Sequence, residues 1–219
     1  AQICCLMESF LDKETCEKML NVSRETSVKF ETYLKTLKKW QENLNLVGLS
    51  TLGDPWRRHI LDCGQISRYI KKKDREIIDI GSGAGLPGIV LSIMGYKNVL
   101  MVDSDFKKSV FIIEALRVCR LKSMVLADRV ENLKNLKNKT IVSRAFSSIS
   151  KTLNLLREKI QKDTELILLK GKHAKKEIID AEIGWKTKQI NNKKPLKPNF
   201  NTYKSLSDSK SFVVVCTFV

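Results

Sequence analysis

Between Asp79 and Asp103 the chain carries glycines and carboxylates whose spacing is typical of a ligand-binding turn. The glycines follow one apolar run and lead into another, GIVLSIM; they are Gly81, Gly83, Gly85 and Gly88. Glycine allows a tight turn and lets a ligand approach the backbone closely. Asp103 ends the next apolar run, 20 residues after Gly83, where a carboxylate can accept hydrogen bonds from ribose hydroxyls. The pattern predicts that a nucleoside-containing cofactor lies over the turn.

Two cofactor classes compete for this turn. Gly83, Gly85 and Gly88 fit the G-x-G-x-x-G pattern of dinucleotide-binding dehydrogenases. Asp79 argues against a pyrophosphate, which its carboxylate would repel, and it could pair directly or through water with the ammonium group of a methionine moiety. Nothing downstream indicates a nicotinamide site, so the D-x-G-x-G-x-G order favours S-adenosylmethionine. A tight strand-to-helix turn without a ligand is the remaining alternative.

The residues at the end of the fourth predicted strand help to identify the group that would accept a methyl group. They are Ser143, Arg144, Ala145 and Phe146. Many amino-group methyltransferases have N/D-P-P-Y/F/W here and cytosine-C5 enzymes have a Pro-Cys nucleophile, and this chain has neither motif. An acceptor that is already nucleophilic needs alignment and exclusion of water rather than acid-base help. We therefore expect no covalent cysteine mechanism.

The six cysteines form no C-x-x-C pair and no cluster with a histidine; they are Cys4, Cys5, Cys16, Cys63, Cys119 and Cys216. This usage is typical of reduced thiols that behave as small buried side chains. We expect neither a metal site nor a disulfide framework.

The elements that position these residues follow from the periodicity of the apolar side chains. Continuous apolar runs predict strands at Glu76–Ile80, Val99–Asp103, Met124–Ala127, Thr140–Ser143, Leu166–Leu169 and Phe212–Phe218. Helical segments separate the first four runs, notably Ser104–Arg120, which predicts a mostly parallel sheet covered on both faces. Gly184–Ile190 and Phe212–Phe218 lack an evident crossover helix, so we expect them to form a late antiparallel strand pair.

The first 75 residues have a helical pattern instead. Apolar side chains recur at steps of three and four; they are Phe30, Tyr33, Leu34, Leu37, Trp40 and Leu44. We expect the aromatic members to belong to the core rather than to stack on bases. The chain is thus predicted to be one α/β domain, a Rossmann-like methyltransferase core at 76–219 with a seven-stranded sheet and an N-terminal helical extension at 1–75.

The charge balance indicates a polyanionic partner. The chain carries 40 basic and 24 acidic residues, a net charge of +16, and such a field concentrates nucleic acid at a surface. A biased, lysine-rich composition is the alternative explanation. Since no apolar run reaches the roughly 20 residues that cross a bilayer, we expect a soluble, cytoplasmic protein, and a monomer.

Taken together, these segments resemble the RsmG/GidB family of bacterial methyltransferases, which act on a guanine N7 in 16S ribosomal RNA. The resemblance runs from about Trp40 to Gly171 and rests on NLNLVG (43–48), RHILD (58–62), DIGSGAGLPGI (79–89), VDSDFKKSVF (102–111), DRVENL (128–133), SRAF (143–146) and LLKG (168–171). Cys63 departs from it, because the family commonly has Ser there. The basic stretch 186–211 matches no motif.

The resemblance implies that the substrate is 16S RNA or an assembling small ribosomal subunit. It also implies a cofactor site formed, besides Asp79, by Gly81, Gly83, Gly85, Leu86, Asp103, Val130, Glu131 and Arg144, with Val130 and Glu131 near the adenine. Residues just after the third strand lie at the carboxyl edge of the sheet, which suits that position. Glu131 as an ordinary solvated acid is the alternative.

Guanine N7 needs to be oriented and does not need a strong base. We therefore look for catalytic groups among the basic residues at the carboxyl edge of the sheet. We expect Arg144 and Lys170 at the crevice, with His59 and Asp62 closing it. His59 could equally be a core or capping histidine, and Arg57 and Arg58 a helix surface. Candidate phosphate contacts are Lys71–Lys73, Lys134, Lys137, Lys139, Lys172, Lys175, Lys176, Lys186, Lys188, Lys193, Lys194 and Lys197.

Three functions remain open on the sequence alone. They are a ribosomal RNA guanine-N7 methyltransferase, a dinucleotide-dependent oxidoreductase, and a basic RNA-binding protein whose cofactor site is vestigial. Thermal denaturation with S-adenosylmethionine or with NAD separates the first two, because a ligand that binds only the native state raises the melting temperature of the protein. Turnover on RNA separates the first from the third.

Overall fold

A seven-stranded sheet forms the centre of the computed structural model, which describes residues 10–186 and 196–219. Its strands are β1 Glu76–Ile80, β2 Val99–Asp103, β3 Met124–Ala127, β4 Lys139–Arg144, β5 Glu165–Lys170, β6 Pro198–Lys204 and β7 Phe212–Phe218. The spatial order is β3-β2-β1-β4-β5-β7-β6. Strands β1 to β5 are parallel, whereas β7 runs antiparallel to β5 and to β6. The predicted mostly parallel sheet with a late antiparallel strand is confirmed.

Helices cover both faces of the sheet. They are α1 Lys13–Leu20, α2 Arg24–Gln41, α3 Asp62–Gly64, α4 Gly88–Ile93, α5 Phe106–Val118, α6 Ile149–Leu156 and α7 Ala174–Lys186, and a π-helical segment, Trp56–Leu61, leads into α3. The N-terminal helices pack with α4 and α5 on one face. Helices α6 and α7 pack on the other. Burial on both faces explains why the parallel strands are continuous apolar runs.

The strand predictions agree closely with the structure. Four of the runs have the predicted bounds, and β4 and β5 each extend one residue further at both ends. The helix predicted at Ser104–Arg120 is α5, which begins later because the Asp105 side chain caps it by accepting from the backbone N–H groups of Lys107 and Lys108.

The apolar stripe of the N-terminal region lies on α2. Ser23 caps this helix by accepting from the backbone N–H of Thr26. Phe30 and Tyr33 are fully buried, and the partly buried Trp40 packs edge-on against Phe111 with ring centroids 5.7 Å apart. The prediction that these aromatic rings belong to the core is confirmed, although Leu44 lies beyond the end of the helix.

The predicted strand at Gly184–Ile190 is wrong where the structure describes it. Gly184 lies on α7, which ends at Lys186, and 187–190 lie outside the described residues. Ala174, Ala181 and Trp185 are buried at helical spacing, and Trp185 packs against Phe218 with ring centroids 6.0 Å apart. The partner of β7 is instead β6. In the part of the chain that the structure describes, no helix is long and apolar enough to cross a membrane.

One buried hydrogen bond ties the N-terminal helices to the glycine turn. The Tyr33 hydroxyl, on α2, donates to the backbone carbonyl of Ala84 at 2.9 Å, and both residues are buried. Tyr33→Phe leaves that carbonyl without a donor, so we expect it to lower the free energy of unfolding by about 1–3 kcal/mol. Urea denaturation measures the change. Tyr203→Phe, at a residue 42% exposed, is the control, and equal stability of both variants would contradict this role.

Candidate functional site

The glycine turn between β1 and α4 is shaped by close packing and by positive backbone angles. Gly81 has φ +66°, and a Cβ there would lie 2.3 Å from Cδ2 of Phe146. Gly83 has φ +56°, and among the described residues no heavy atom lies within 4 Å of the position of its Cβ. Gly81 therefore requires glycine, and the positive φ of Gly83 favours it. Gly81 makes room for the SRAF segment, and Gly83 leaves its side of the turn open to a ligand.

Asp103, at the end of β2, holds the open part of the turn. One of its carboxylate oxygens accepts from the backbone N–H of Gly83 at 2.7 Å, and the other accepts from that of Asp105 at 2.9 Å. Each oxygen of an ionised carboxylate has two lone pairs. The group is thus fixed in place and keeps acceptor capacity for ribose hydroxyls, as its spacing from Gly83 predicts.

Asp79 lies beneath the turn. It is fully buried, and its Oδ2 accepts from the backbone N–H of Gly88 at 2.8 Å, which fixes the start of α4. Its Oδ1 has no hydrogen-bond partner among the described residues. Burial raises the pKa of this carboxyl to about 7. The side chain supports the turn from below, and its direct or water-mediated pairing with the ammonium group of a ligand stays a prediction.

A cavity of about 520 Å³ opens over the turn and is called the first cavity. All the predicted cofactor-binding residues line it except Asp79 and Gly85. Gly85 is instead packed under α4, because a Cβ there would lie 2.4 Å from Cδ1 of Ile89. Val130 is buried in the cavity wall, whereas Glu131 lines it with an exposed side chain.

Several lining residues were not predicted. Leu46, Val47 and Gly48 form part of the wall, and Gln41 holds their loop by accepting from the backbone N–H groups of Leu46 and Val47 at 3.0 and 2.9 Å. The NLNLVG motif was a signal for this loop, but its approach to the turn depends on how the N-terminal helices pack. Other residues that sequence reasoning missed are Ser104, Lys108, Asp128, Arg129, Phe146, Lys151 and Leu155.

Arg144, at the end of β4, is held by a cluster of partners from the N-terminal layer. Its guanidinium donates to the backbone carbonyl of Arg58 at 2.7 Å and to Cys63 Sγ at 3.6 Å. It also contacts His59 Nδ1 at 3.3 Å and Asp62 Oδ2 at 3.7 Å. Its side chain is only 19% exposed, and a cation taken out of water needs such partners. These contacts fix Arg144 in the wall of the first cavity.

His59 is buried beneath the crevice and lines neither cavity described here. Since a guanidinium only donates, Nδ1 accepts from Arg144 and Nε2 carries the proton. Nε2 then donates to Thr51 Oγ1 at 3.2 Å, and that hydroxyl donates to the Gly48 carbonyl at 2.6 Å. Burial and the nearby Arg144 lower the pKa of His59 to about 3. The alternative of a core histidine is therefore confirmed.

Asp62 and Lys170 line an adjoining cavity of about 440 Å³, called the second cavity. Asp62 Oδ1 accepts from the Ser207 hydroxyl at 2.5 Å. Lys170 lies 3.0 Å from Glu177 Oε2 and also donates to the Ser147 carbonyl. The structure thus brings Asp62, Lys170 and Arg144 to one edge of the sheet, as predicted.

Arg57 and Arg58 differ from each other. Arg57 is 7% exposed, and its Nε donates to Asp54 Oδ2 at 2.7 Å. The expectation of a helix surface is therefore wrong for Arg57, because the segment turns that side chain inward. Arg58 is exposed and lines the second cavity.

The cysteines that the structure describes are buried free thiols, and Cys4 and Cys5 lie outside the described residues. Burial raises the pKa of Cys63 to about 12 and that of Cys119 to about 11. Such thiols are poor nucleophiles. In residues 10–186 and 196–219, no group of histidine, cysteine and acidic side chains could hold a metal ion.

The strand order, the antiparallel final pair and a crevice over the first strand-to-helix turn define a Rossmann-like S-adenosylmethionine-dependent methyltransferase. Solved structures share this fold. A TehB-like SAM-dependent methyltransferase from Corynebacterium glutamicum gives a TM-score of 0.55 at 16% identity over 85% of this chain and 98% of that one. A ribosomal protein L11 methylase from Lactobacillus delbrueckii subsp. bulgaricus gives 0.55 at 14% identity over 72% and 76%.

Sequence relatives identify the family. Residues 26–199 match the GidB family model, described as rRNA small subunit methyltransferase G. Ribosomal RNA small subunit methyltransferase G of Orientia tsutsugamushi (strain Boryong) is 40% identical over 89% of this chain and 91% of its own. The Rhodospirillum rubrum protein of that name is 38% identical over 75% and 82%. The chain belongs to the GidB family.

The first prediction for this site concerns Asp103. Asp103→Asn replaces an oxygen that accepts from a backbone N–H by an amide that cannot, and it removes the charge that a ribose hydroxyl would meet. We expect S-adenosylmethionine to bind about 10- to 100-fold more weakly, in line with the loss of a hydrogen bond to a charged group. Calorimetry measures the affinity. Asp180→Asn, at an exposed residue of α7, should bind normally, and unchanged affinity in Asp103→Asn would refute the site.

The second prediction concerns the pH dependence of stability. The pKa of His59 in the folded protein, about 3, lies below the unfolded value of about 6.5. Between these values the unfolded chain takes up a proton that folded His59 does not. The free energy of unfolding therefore falls as pH is lowered through this window, by up to about 1.4 kcal/mol per pH unit from this residue.

Urea denaturation between pH 7 and pH 4 tests this assignment. The raised pKa of Asp79, about 7, acts in the opposite direction over the same window, so the His59 contribution is read from the difference between two profiles. As pH falls from 7 to 4, His59→Gln should lose less free energy of unfolding, or gain more, than the wild type. His173→Gln, at an exposed residue, should have the same profile as the wild type. Identical pH profiles for the wild type and His59→Gln would show that His59 is not held neutral.

Proposed function

We propose that this protein transfers a methyl group from S-adenosylmethionine to the N7 of a guanine in 16S ribosomal RNA, free or within the assembling small subunit. One observation carries the proposal. In a chain of the GidB family, the residues that the family resemblance assigns to the cofactor, all but Gly85, line one cavity, beside a second cavity at the same sheet edge. As part of the proposal, the enzyme is a cytoplasmic monomer.

The residues of the first cavity suit the parts of this cofactor. Asp103 offers carboxylate lone pairs to ribose hydroxyls, and Val130 and Glu131 flank the place of the adenine. Gly83 lets the ligand lie against the backbone. S-adenosylmethionine supplies an electrophilic methyl group when it is bound there. The protein needs no general base, because guanine N7 already carries a free lone pair; it has to align the base and exclude water.

The oxidoreductase and the vestigial-site alternatives find no support among the relatives. The family model and the sequence relatives named above are described as methyltransferases. The RNA methyltransferase is therefore the single function that we carry forward.

The exposed lysines fall into two groups with respect to the cavities. Lys71–Lys73 and Lys137 shortly precede β1 or β4 and lie at the amino edge of the sheet, away from the cavities, whereas Lys134 lies on the connection between β3 and β4. Lys172, Lys175 and Lys176 follow β5 at the carboxyl edge, next to the second cavity. Lys139 is paired with Glu76, Lys197 is exposed at the start of β6, and Lys188, Lys193, Lys194 and the side chain of Lys186 lie outside the described part of the chain. We propose that RNA entering the site contacts the carboxyl-edge lysines.

The decisive experiment maps the methylated atom. The protein is incubated with labelled S-adenosylmethionine and 16S RNA, or small subunits, from cells that lack this modification, and the product is analysed by nuclease mapping and mass spectrometry. We expect one 7-methylguanosine per RNA, and much less with Asp103→Asn. Methylation of another atom or another RNA, or none with a protein that binds the cofactor, would overturn the proposal.

A third prediction separates RNA affinity from methyl transfer. With six to ten phosphate contacts, log affinity should fall with log salt at a slope of roughly −4 to −9. Replacing Lys172, Lys175 and Lys176 together by Gln should make that slope shallower by about 2 to 3. The same change at Lys71–Lys73 should leave the slope unaltered. Filter binding over a salt series measures both, and equal slopes in the two triple variants would contradict the assignment.

A fourth prediction concerns the groups at the crevice. Arg144→Ala and Lys170→Ala should leave RNA affinity nearly intact and lower the single-turnover rate at saturating RNA and cofactor, because groups that orient the acceptor act mainly in the transition state. Lys162→Ala, at an exposed residue that lines neither cavity, is the control for the loss of a positive charge alone. Normal rates in both crevice variants would remove these residues from the mechanism.

A further inference from the structure

The second cavity lies where an acceptor base would meet the cofactor. It opens at the carboxyl ends of β4 and β5 and shares Arg144, Ala145 and Ser147 with the first cavity. Its volume of about 440 Å³ falls in the range of small-ligand sites. A planar base in the second cavity would therefore have one edge close to the contents of the first.

The side chains around the second cavity suit a base better than a phosphate. Leu169 and Phe212 provide apolar surface, and an aromatic ring is a platform on which bases stack. Two carboxylates, Asp62 and Glu177, also line it, although the chain as a whole carries a charge of +16. Arg58, Arg144 and Lys170 also line the cavity, but Arg144 is paired with Asp62 and Lys170 with Glu177. The carboxylates therefore offset most of the positive charge there, and they can accept hydrogen bonds from the N–H groups of a ligand.

One carboxylate oxygen of Glu177 is fixed by two partners, and the other is available to accept a hydrogen bond from a ligand. Its Oε2 lies 3.0 Å from Lys170 Nζ and accepts from the backbone N–H of Ile149 at 2.9 Å. Its Oε1 receives no hydrogen bond from any residue within 10–186 or 196–219. Asp62 differs, since both its oxygens have partners, Ser207 on one and Arg144 on the other. Of the two carboxylates, Glu177 is thus the one prepared to accept from a ligand.

We propose that the second cavity receives the target guanine, turned out of the RNA stack, and that Glu177 recognises its Watson–Crick edge. This inference rests on the proposed function. Guanine presents two donors there, N1–H and the N2 amino group, which a carboxylate can accept. Adenine presents the acceptor N1 in the same place, so the carboxylate would repel it. Enzymes that modify bases commonly bind a flipped nucleotide in such a pocket.

The same contact favours the reaction itself. The N7 lone pair forms a bond to the methyl carbon, the carbon–sulfur bond breaks, and its electron pair stays on sulfur. No proton moves, and the positive charge passes from sulfur to the purine. A carboxylate hydrogen-bonded to N1–H and N2 therefore interacts more strongly with the transition state than with neutral guanine. Lys170 is a positioning residue here, because it holds Oε2 of Glu177.

Replacing the target guanosine by inosine tests the proposal, because inosine keeps N7, O6 and N1–H and lacks only the N2 amino group. Full-length 16S RNA with either base at the mapped position is methylated under single-turnover conditions. We expect the wild type to prefer guanosine by about 10-fold. Glu177→Gln should lose most of this preference and slow on guanosine by about 10- to 150-fold, the range for the loss of a hydrogen bond to a charged group. Glu182→Gln, at an exposed residue of the same helix, should behave as the wild type.

The outcomes separate this inference from the function on which it rests. Equal rates of wild type on the two RNAs would overturn it without any variant, so the result does not depend on the folding of Glu177→Gln. A variant that slows equally on both RNAs would show that Glu177 only supports α6, and would also overturn it. Failure of the wild type to form 7-methylguanosine on guanosine RNA would overturn the proposed function itself.

Discussion

The burial of one cation, the guanidinium of Arg144, is the constraint on which the site depends. A charge removed from water is tolerated only when its donors are paired. The partners come from outside the sheet, from the segment that contains Arg58, His59, Asp62 and Cys63. The N-terminal layer thus supplies the partners of Arg144 at the carboxyl edge of the sheet, and burial together with this cation lowers the pKa of His59.

From Arg144 the chain of contacts reaches both cavities. Through His59 and Thr51 it extends to Gly48 in the wall of the first cavity, and through Asp62 it reaches the second. The wall between the two cavities is therefore a fixed set of hydrogen bonds. The proposed methyl transfer to guanine N7 would depend on alignment rather than on proton transfer, and a rigid wall suits such a reaction.

Local patterns predicted much of this fold and site. Buried parallel strands are continuous apolar runs, so their bounds were visible, and the glycine turn and Asp103 follow from spacing. Tertiary contacts were not visible. Periodicity does not show which neighbours surround a side chain. It therefore could not predict the burial of Asp79, the neutral state of His59 or the available oxygen of Glu177. The strand predicted at Gly184 failed because the apolar face of α7 extends into that segment.

A double-mutant cycle between Arg144 and Asp62 tests the central claim most directly. Single-turnover methylation rates are measured for the wild type, Arg144→Ala, Asp62→Asn and the double variant. If Asp62 acts by holding Arg144, Asp62→Asn should slow the wild type and add little once Arg144 is absent, giving an interaction energy above about 0.5 kcal/mol. Effects of the two substitutions that simply multiply would contradict the account, because the two residues would then act independently.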